Sequence, residues 1–476
     1  MQTLTMKFGG TSVGSPEALQ NVIYIVQREL AEKQRLLVVV SAMGGVTDKL
    51  LKSVECAVAG NKWGYLSLNE EIREQHEDAI NQLIPPGAER ERILNRIDRL
   101  LQEHIELCDA INILNEATPR ILDSVVSLGE RMSSRLVAAV LRAHEIKAKA
   151  FEAGDFLITD DTFQNAQPFW DETEQRIQNQ LLPVLDDGTI PVITGFLGAT
   201  QDGAITTLGR GGSDYSAAIF AAYSNSDELV IWTDVDGVMT TDPRIDSRAR
   251  VLPYISYQEV GELAFYGAKV LHPKTVQPIV SRNIPLRVRN TFNPDAEGTL
   301  IGPNGVHSAT IIKAVTSIRN VSMLTVSGRG MLGVPGIAGR TFLATARSGA
   351  NVLMISQASS EQSFCFTVVD EAADSVKAAV EAELSKELDR RDVESIDIWR
   401  DVVIVTVIGS GMRGTPGVAG RVFTTLGNNN INVLSIAQGS SECSISFVID
   451  EADLEKAVTC LHDLALETVA LQNGHH

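Results

Sequence analysis

The sequence predicts an α/β protein in which helices cover both faces of a mainly parallel sheet, followed by two small α+β domains. Three observations carry this. Short apolar runs alternate with helical stretches through the first part of the chain. Leu36 to Val40 is an unbroken apolar run, as expected of a strand buried on both faces. A glycine-rich motif at residue 328 returns 81 residues later, at residue 409. At roughly 100–200 residues per domain, a chain of 476 residues has room for two to four.

In chain order, Leu4 to Phe8 is the first strand. A helix follows over Glu17 to Leu30, where Leu19, Val22, Ile23, Val26 and Leu30 keep helical spacing. Residues 48–125 are rich in Glu, Arg, Leu and Ile and carry almost no turn chemistry beyond Pro85-Pro86-Gly87, so they read as a helical insertion. Strands return at Ile190–Thr194 and Leu229–Thr233. Composition shifts at Ile301-Gly302-Pro303-Asn304-Gly305, which sets the first domain at 1–305. The repeats then occupy 306–395 and 396–476, each read as strand, glycine turn, helix, strand, strand, helix. A last strand near Ala465 to Leu471 is expected to complete the first of them.

Lys plus Arg number 41 against 60 Asp plus Glu, a net charge of −19, which repels phosphate backbones and anionic lipid. Nucleic acid and membrane surfaces are therefore not expected as partners. Five unpatterned cysteines lack metal-ligand spacing. The N-terminus has no apolar signal region, and no run approaches the ~18–20 apolar residues of a membrane span. A cytoplasmic protein is the expectation.

Several segments could carry chemistry. Lys7-Phe8-Gly9-Gly10-Thr11-Ser12 ends a strand in a lysine, and its glycines let backbone N–H groups approach an anion. No GxxxxGK[ST] occurs, which excludes a P-loop. Leu208-Gly209-Arg210-Gly211-Gly212-Ser213-Asp214 sets one guanidinium and one carboxylate among small residues, and arginine grips carboxylates in a bidentate fashion. Taken singly, each also reads as a plain turn or helix cap. Gly328/Gly330/Gly333 and Gly409/Gly411/Gly414 match GxGxxG. No acidic residue follows at the distance that holds a ribose, so a tight loop binding nothing charged is the preferred reading over a dinucleotide site.

In combination, KFGGTSV at 7–13, VVVSAMGGVTDKL at 38–50, SLGERMS at 127–133, LGRGGSDYSAA at 208–218, IWTDVDGV at 231–238, TTDPR at 240–244 and YGAKVLHP at 266–273 resemble aspartate kinases of the amino acid kinase family. The paired repeats are similar to its tandem ACT domains. The resemblance covers the whole chain. It implies a three-layer α/β/α sandwich catalytic domain followed by two ferredoxin-like α+β ACT domains. The reaction it implies uses ATP and Mg²⁺ carried by ATP, with no metal bound by the protein, to phosphorylate L-aspartate to 4-phospho-L-aspartate. That step opens lysine, threonine and methionine biosynthesis. An acceptor carboxylate, with a reference pKa of about 3.9, is already ionised and needs no general base.

By the resemblance Lys7 and Asp214 are catalytic. Lys7, Gly9, Gly10, Ser12, Thr233, Asp234, Met239, Arg244 and Lys269 fall at ATP-binding positions. Ser41, Thr47, Glu130, Arg210, Gly211, Gly212 and Ser213 fall at substrate-binding positions. Met239 stands where many relatives carry tyrosine. Gln357 and Gln438 match the effector glutamines of threonine-sensitive members, and Leu353 and Leu434 stand where lysine-sensitive ones carry an acid, so threonine is the expected effector. A homodimer or dimer of dimers is implied. Threonine-sensitive members are often fused to a homoserine dehydrogenase, so the chain reads either as a one-activity enzyme or as one part of a longer protein. Three alternatives remain at this point: a glutamate or carbamate kinase of the same fold, an amino-acid sensor with an inactive kinase domain, and a nicotinamide enzyme.

Overall fold

The computed structural model describes residues 2–32, 35–266, 271, 273–303, 310–331, 334–357 and 362–467. The chain forms two units. One comprises Met1–Val238, Val251–Tyr257 and Val270–Pro303; the other comprises Met239–Arg250, Gln258–Lys269 and Asn304–His476. Among the described residues no helix is long and apolar enough to cross a membrane.

The first unit contains β1 (Thr3–Phe8), β2 (Arg35–Val40), β3 (Ala148–Phe151), β4 (Ile190–Thr194), β5 (Leu197–Ala199), β6 (Ile205–Thr207), β7 (Glu228–Thr233), β8 (Tyr254–Ser256), β9 (Leu286–Asn290) and β10 (Thr299–Gly302). Eight of these form one sheet in the order β3-β4-β2-β1-β7-β9-β10-β8, with only the β9–β10 pair antiparallel; β5 and β6 pair separately. β1 lies between β2 and β7, buried at every position. Strand alternation sends Leu4, Met6 and Phe8 into a core shared with the helices Pro16–Ala31 and Pro119–Ala143. Thr5 and Lys7 point to the opposite face, against which the helix Gly212–Tyr223 packs. The expected three layers are present.

The second unit contains β11 (Ala314–Ser327), β12 (Met354–Gln357), β13 (Ser363–Val369), β14 (Ser395–Ile408), β15 (Ser435–Gln438) and β16 (Ser444–Asp450), in the order β12-β13-β11-β14-β16-β15. β11 and β14 each run through both repeats. Their register shifts near Asn320 and Asp401, both in left-handed backbone (φ 57° and 55°). The far half of β11 and the near half of β14 complete the first repeat's sheet, while Ala314–Ile318 pairs with Ile404–Ile408 and completes the second. One repeat is thus threaded inside the other. The expected strand near Ala465 to Leu471 is corrected accordingly. Ala465 closes the helix Leu454–Leu466, β14 finishes the first repeat instead, and residues 468–471 lie outside the described residues.

The repeated glycines have a packing cause. A Cβ on Gly328 would sit 2.2 Å from the Asp392 carbonyl oxygen, and one on Gly409 would sit 2.1 Å from that of Ile311. These loops therefore press on the backbone that enters each completing strand, which is a use of glycine distinct from cradling phosphate.

The insertion is helical, over Val46–Val58, Lys62–Leu83 and Ala88–Leu114, leading into Pro119–Ala143. Its core holds two fully buried histidines. His104 Nε2–H donates to Ser53 Oγ at 2.6 Å, whose own hydrogen goes to the Leu50 carbonyl, and Nδ1 accepts from Asn69 Nδ2 at 2.8 Å, while His76 Nδ1 donates to the Ile72 carbonyl at 2.7 Å. Burial holds both down at about 4. Their unfolded forms take up protons near pH 6.5, so the stability they contribute is present above that value and drains away as pH falls toward 4. The thermal midpoint should drop by several degrees between pH 6.5 and 4.5. In a His76→Gln/His104→Gln variant that fall should be shallower, and an unchanged slope in calorimetry would contradict it.

Candidate functional site

The carboxyl ends of parallel strands, where the strand order reverses, are where α/β sheets bind ligands. β1 sits at that point, and Lys7 is its penultimate residue. Lys7 Nζ lies 2.6 Å from Asp214 Oδ1, because Asp214 falls in the first turn of the helix on the face that Lys7 reaches. Gly209 and Gly211, at φ 75° and 72°, hold Arg210 on the turn entering that helix, and the turn could not form with L side chains at little cost. Arg210 is exposed at the cleft.

Glu130 arrives from the opposite side on the helix Pro119–Ala143. A Cβ on Gly129 would lie 2.7 Å from Ala42 Cβ, so only glycine lets this helix approach the loop after β2 so closely. Glu130 Oε1 accepts from the Ala42 N–H at 3.2 Å, while Oε2 is buried with no partner among the described residues. Burial pushes its carboxyl up to about 7, against the pull of the Ala42 N–H and of Lys7.

Lys7, Gly10, Ser41, Thr47 and Glu130 thus share one cleft of about 890 Å³ with Arg210, Gly211, Gly212, Ser213 and Asp214. Gly9 lies beside Lys7 Nζ and donates its N–H to the Trp232 carbonyl. Ser12 is placed differently from the expectation. It is fully buried, donates to the Trp232 carbonyl at 3.1 Å and accepts from Thr291 Oγ1 at 2.7 Å, so its hydroxyl braces the loop rather than facing the cleft. Thr233 and Asp234 stand at the carboxyl end of β7. Met239 and Arg244 belong to the second unit, where Arg244 pairs with Asp242 at 2.6 Å and remains 86% exposed. Lys269 lies outside the described residues. Gln357 and Gln438 end the edge strands β12 and β15, and Gln357 lines a cavity of about 530 Å³ with Met331, Gly336, Ile337 and Phe364.

The sequence reading missed Asp123. Its carboxylate accepts from Gln164 N at 3.0 Å, Thr207 N at 2.9 Å and Thr207 Oγ1 at 2.9 Å, fixing the strand end just before Leu208-Gly209-Arg210, and it lines the cleft. Burial raises its pKa against these three donors. The available signal was its distance from Glu130. Seven residues is two helical turns, so both acids share one face of a helix whose buried side is otherwise mostly apolar and small.

Comparison with known proteins agrees with this geometry. Residues 2–290 match the model of the amino acid kinase family, and residues 324–384 and 405–464 match an ACT domain. The chain is 37% identical over 462 residues to the chloroplastic bifunctional aspartokinase/homoserine dehydrogenase 1 of Arabidopsis thaliana, covering 96% of this chain and 50% of that protein. The chain spans about half the length of the curated bifunctional relatives it matches. It is 34% identical to chloroplastic aspartokinase 1 of the same plant, covering 98% of this chain and 80% of the relative. Among solved structures it is similar to E. coli aspartokinase III in complex with aspartate and ADP, with a TM-score of 0.79, 31% identity, and 98% and 100% of the two chains covered. The lysine-and-aspartate complex of that enzyme matches equally. With the cleft, the threaded repeats and these matches together, the chain belongs to the aspartokinases of the amino acid kinase family.

Proposed function

We propose that the cleft transfers the γ-phosphoryl group of ATP to the β-carboxylate of L-aspartate, giving ADP and 4-phospho-L-aspartate. The observation that carries this is the charge pattern of one cavity: a buried carboxylate oxygen on Glu130 without a partner among the described residues, the guanidinium of Arg210, and the ammonium of Lys7 held in place by Asp214. An amino-acid zwitterion beside a phosphate complements all three. The names of the relatives, and the aspartate and ADP bound to E. coli aspartokinase III, support the same reading.

In this reading Arg210 grips the α-carboxylate and Glu130 takes the ammonium. Ser41 and Thr47 meet the reacting end, and Gly211, Gly212 and Ser213 offer close backbone. Lys7 neutralises the transferring group while Asp214 orients its ammonium. Gly9, Gly10, Thr233, Asp234, Met239, Arg244 and Lys269 serve the nucleotide. The β-carboxylate attacks phosphorus as the bond to the ADP oxygen breaks; no proton moves, so positioning and charge neutralisation do the work. Mg²⁺ on the triphosphate supplies further neutralisation. Asp214 already faces Lys7 and Glu130 stands alone, so these residues fit a metal carried by the nucleotide rather than one held by the protein. An inactive sensor is disfavoured by the intact Lys7–Asp214 pair.

Feedback by an end-product amino acid at the second unit completes the reading, with threonine preferred. The described residues lining the 530 Å³ cavity include Gln357 and no carboxylate to pair with a lysine ammonium, while a carboxamide can both donate to and accept from a hydroxyl. Inhibition assays should show threonine acting at lower concentration than lysine; lysine alone inhibiting would overturn this.

ADP-release assays test the chemistry. Lys7→Ala should lower kcat by about 10²–10³-fold, and Arg210→Ala should raise the aspartate KM by about 10–100-fold. Unchanged values would remove these residues from their roles. Glu130 supplies a pH test. As pH falls below about 7 it takes up a proton and loses its pull on the ammonium, so the aspartate KM should rise. Its raised pKa also costs folding stability once the group is ionised. Glu130→Gln should therefore weaken aspartate binding, flatten that pH profile and raise the thermal midpoint at pH 8, a gain that shrinks toward pH 4.5. Falling stability at pH 8 would mark Glu130 as structural.

A further inference from the structure

The segment carrying Arg244 has no regular secondary structure, yet it is held at every turn by the second ACT repeat. Thr240 is 3% exposed. Its carbonyl accepts from Val315 N at 2.9 Å on β11, and its hydroxyl accepts from Arg250 N at 3.1 Å and meets His462 Nε2 at 2.8 Å. On the other side of the fully buried imidazole, Nδ1 lies 2.9 Å from Asp246 Oδ2. Arg248 grips the same carboxylate through Nε at 3.0 Å and Nη2 at 2.7 Å, and reaches Asp463 at 2.7 Å. Arg250 caps the Leu466 carbonyl at 3.2 Å, which lies at the negative end of the helix Leu454–Leu466. Ile245 packs into the apolar core between that helix and its sheet.

The hydrogen bonds assign one proton. Asp246, held ionised by Arg248, can only accept, so His462 Nδ1 carries a hydrogen toward it, while Nε2 shares a hydrogen bond with the Thr240 hydroxyl. Threonine, histidine and aspartate line up as in a hydrolytic triad. With exposures of 3%, 0% and 6%, however, no substrate can reach the hydroxyl. The chain of bonds spans the two ends of the Thr240–Asp246 loop and fixes its shape.

Among the described residues the first repeat shows no such device. The residue 81 positions before His462 is Glu381, whose carboxylate stays on the surface 3.7 Å from Lys377. The helix of the second repeat therefore carries a residue specific to clasping this loop. We propose that His462 is a positioning residue for nucleotide binding, acting through Thr240 and Asp246 to hold the loop in the shape that presents Arg244. This rests on the reading above that Arg244 serves the nucleotide. It gives the second repeat a direct mechanical role in the affinity for ATP, separate from any effector bound at the first.

Steady-state kinetics with both substrates varied test it on the full chain. Thr240→Val is isosteric and removes only the hydroxyl. It should raise the ATP KM about tenfold, as expected when a buried hydroxyl that bonds both His462 and the Arg250 N–H is lost, while leaving the aspartate KM within twofold. Thr240→Ser should restore the ATP KM, and His462→Asn, which loses the bond to Thr240, should behave like Thr240→Val. Arg244→Ala is the control for the underlying reading. If it leaves the ATP KM unchanged, the assignment of this loop to the nucleotide fails and the proposal with it. If Arg244→Ala weakens ATP but Thr240→Val does not, the positioning role alone is refuted. A parallel rise in both KM values, or no recovery with serine, would mark the cluster as merely structural.

Discussion

Lys7 is the penultimate residue of the central strand, with only 8% of its surface exposed, and an ammonium so placed needs a fixed counter-charge. Asp214 supplies it at 2.6 Å. The pairing depends on two larger facts of the fold. β1 must lie between β2 and β7 so that its carboxyl end opens into the cleft, and the glycine turn at Gly209–Gly212 must start the next helix directly over it. Each of these follows from local sequence chemistry, but their meeting is a property of the sheet order. In a protein of net charge −19, phosphate is repelled at long range. The cleft counters this at short range, where a desolvated cation acts far more strongly than one in water.

Glu130 is the complementary case. Its carboxylate has one backbone donor and one oxygen without a partner among the described residues, and burial pushes it up to about 7. A residue selected for stability alone would be neutral or fully paired. The cost of an unpaired buried acceptor is accepted where a ligand later removes it, and this is why a strongly shifted carboxyl in a cleft points to function. Asp123 has a shift of the same sign and a different meaning. Its oxygens accept from Gln164 and from Thr207, just before the turn that carries Arg210, so it shapes the site.

What could be read from the sequence was local. The lysine at a strand end, the glycine turns around Arg210, the helical insertion and the duplicated repeat all show in a few consecutive residues. The glycines at 328 and 409 were visible as a pattern, but their cause lies in backbone 60 to 100 residues away at Asp392 and Ile311. Asp123 looked like any helical acid because its partners at Gln164 and Thr207 are distant in sequence. Ser12 looked like a ligand residue because its motif faces the cleft, whereas its own side chain turns back to Trp232 and Thr291. The threading of the repeats was hidden for a related reason. Ala314–Ile318 carries no mark of which repeat it will complete until β14 is laid beside it.

The division of the chain into units follows the same logic at larger scale. Residues 239–250 and 258–266 sit within the stretch matched by the amino acid kinase family, yet they fold with the ACT repeats. The helix Tyr257–Phe265 shows how. Glu259 is fully buried and bonded both to Lys313 at 2.9 Å, itself 2% exposed, and to the N–H of Ser410 in the second glycine loop. Glu262, one turn on, accepts from Ser444 at 2.8 Å. A buried ion pair is weak evidence for stability, because desolvation consumes most of its attraction. Its consequence is directional: a carboxylate with both oxygens committed tolerates no sliding of its helix. Together with the clasp at Thr240, Asp246 and His462, it ties two segments of kinase sequence to one repeat by polar bonds of fixed geometry. A change of shape in that repeat would have to move those segments as well, since greasy contacts can slip by an ångström and these cannot.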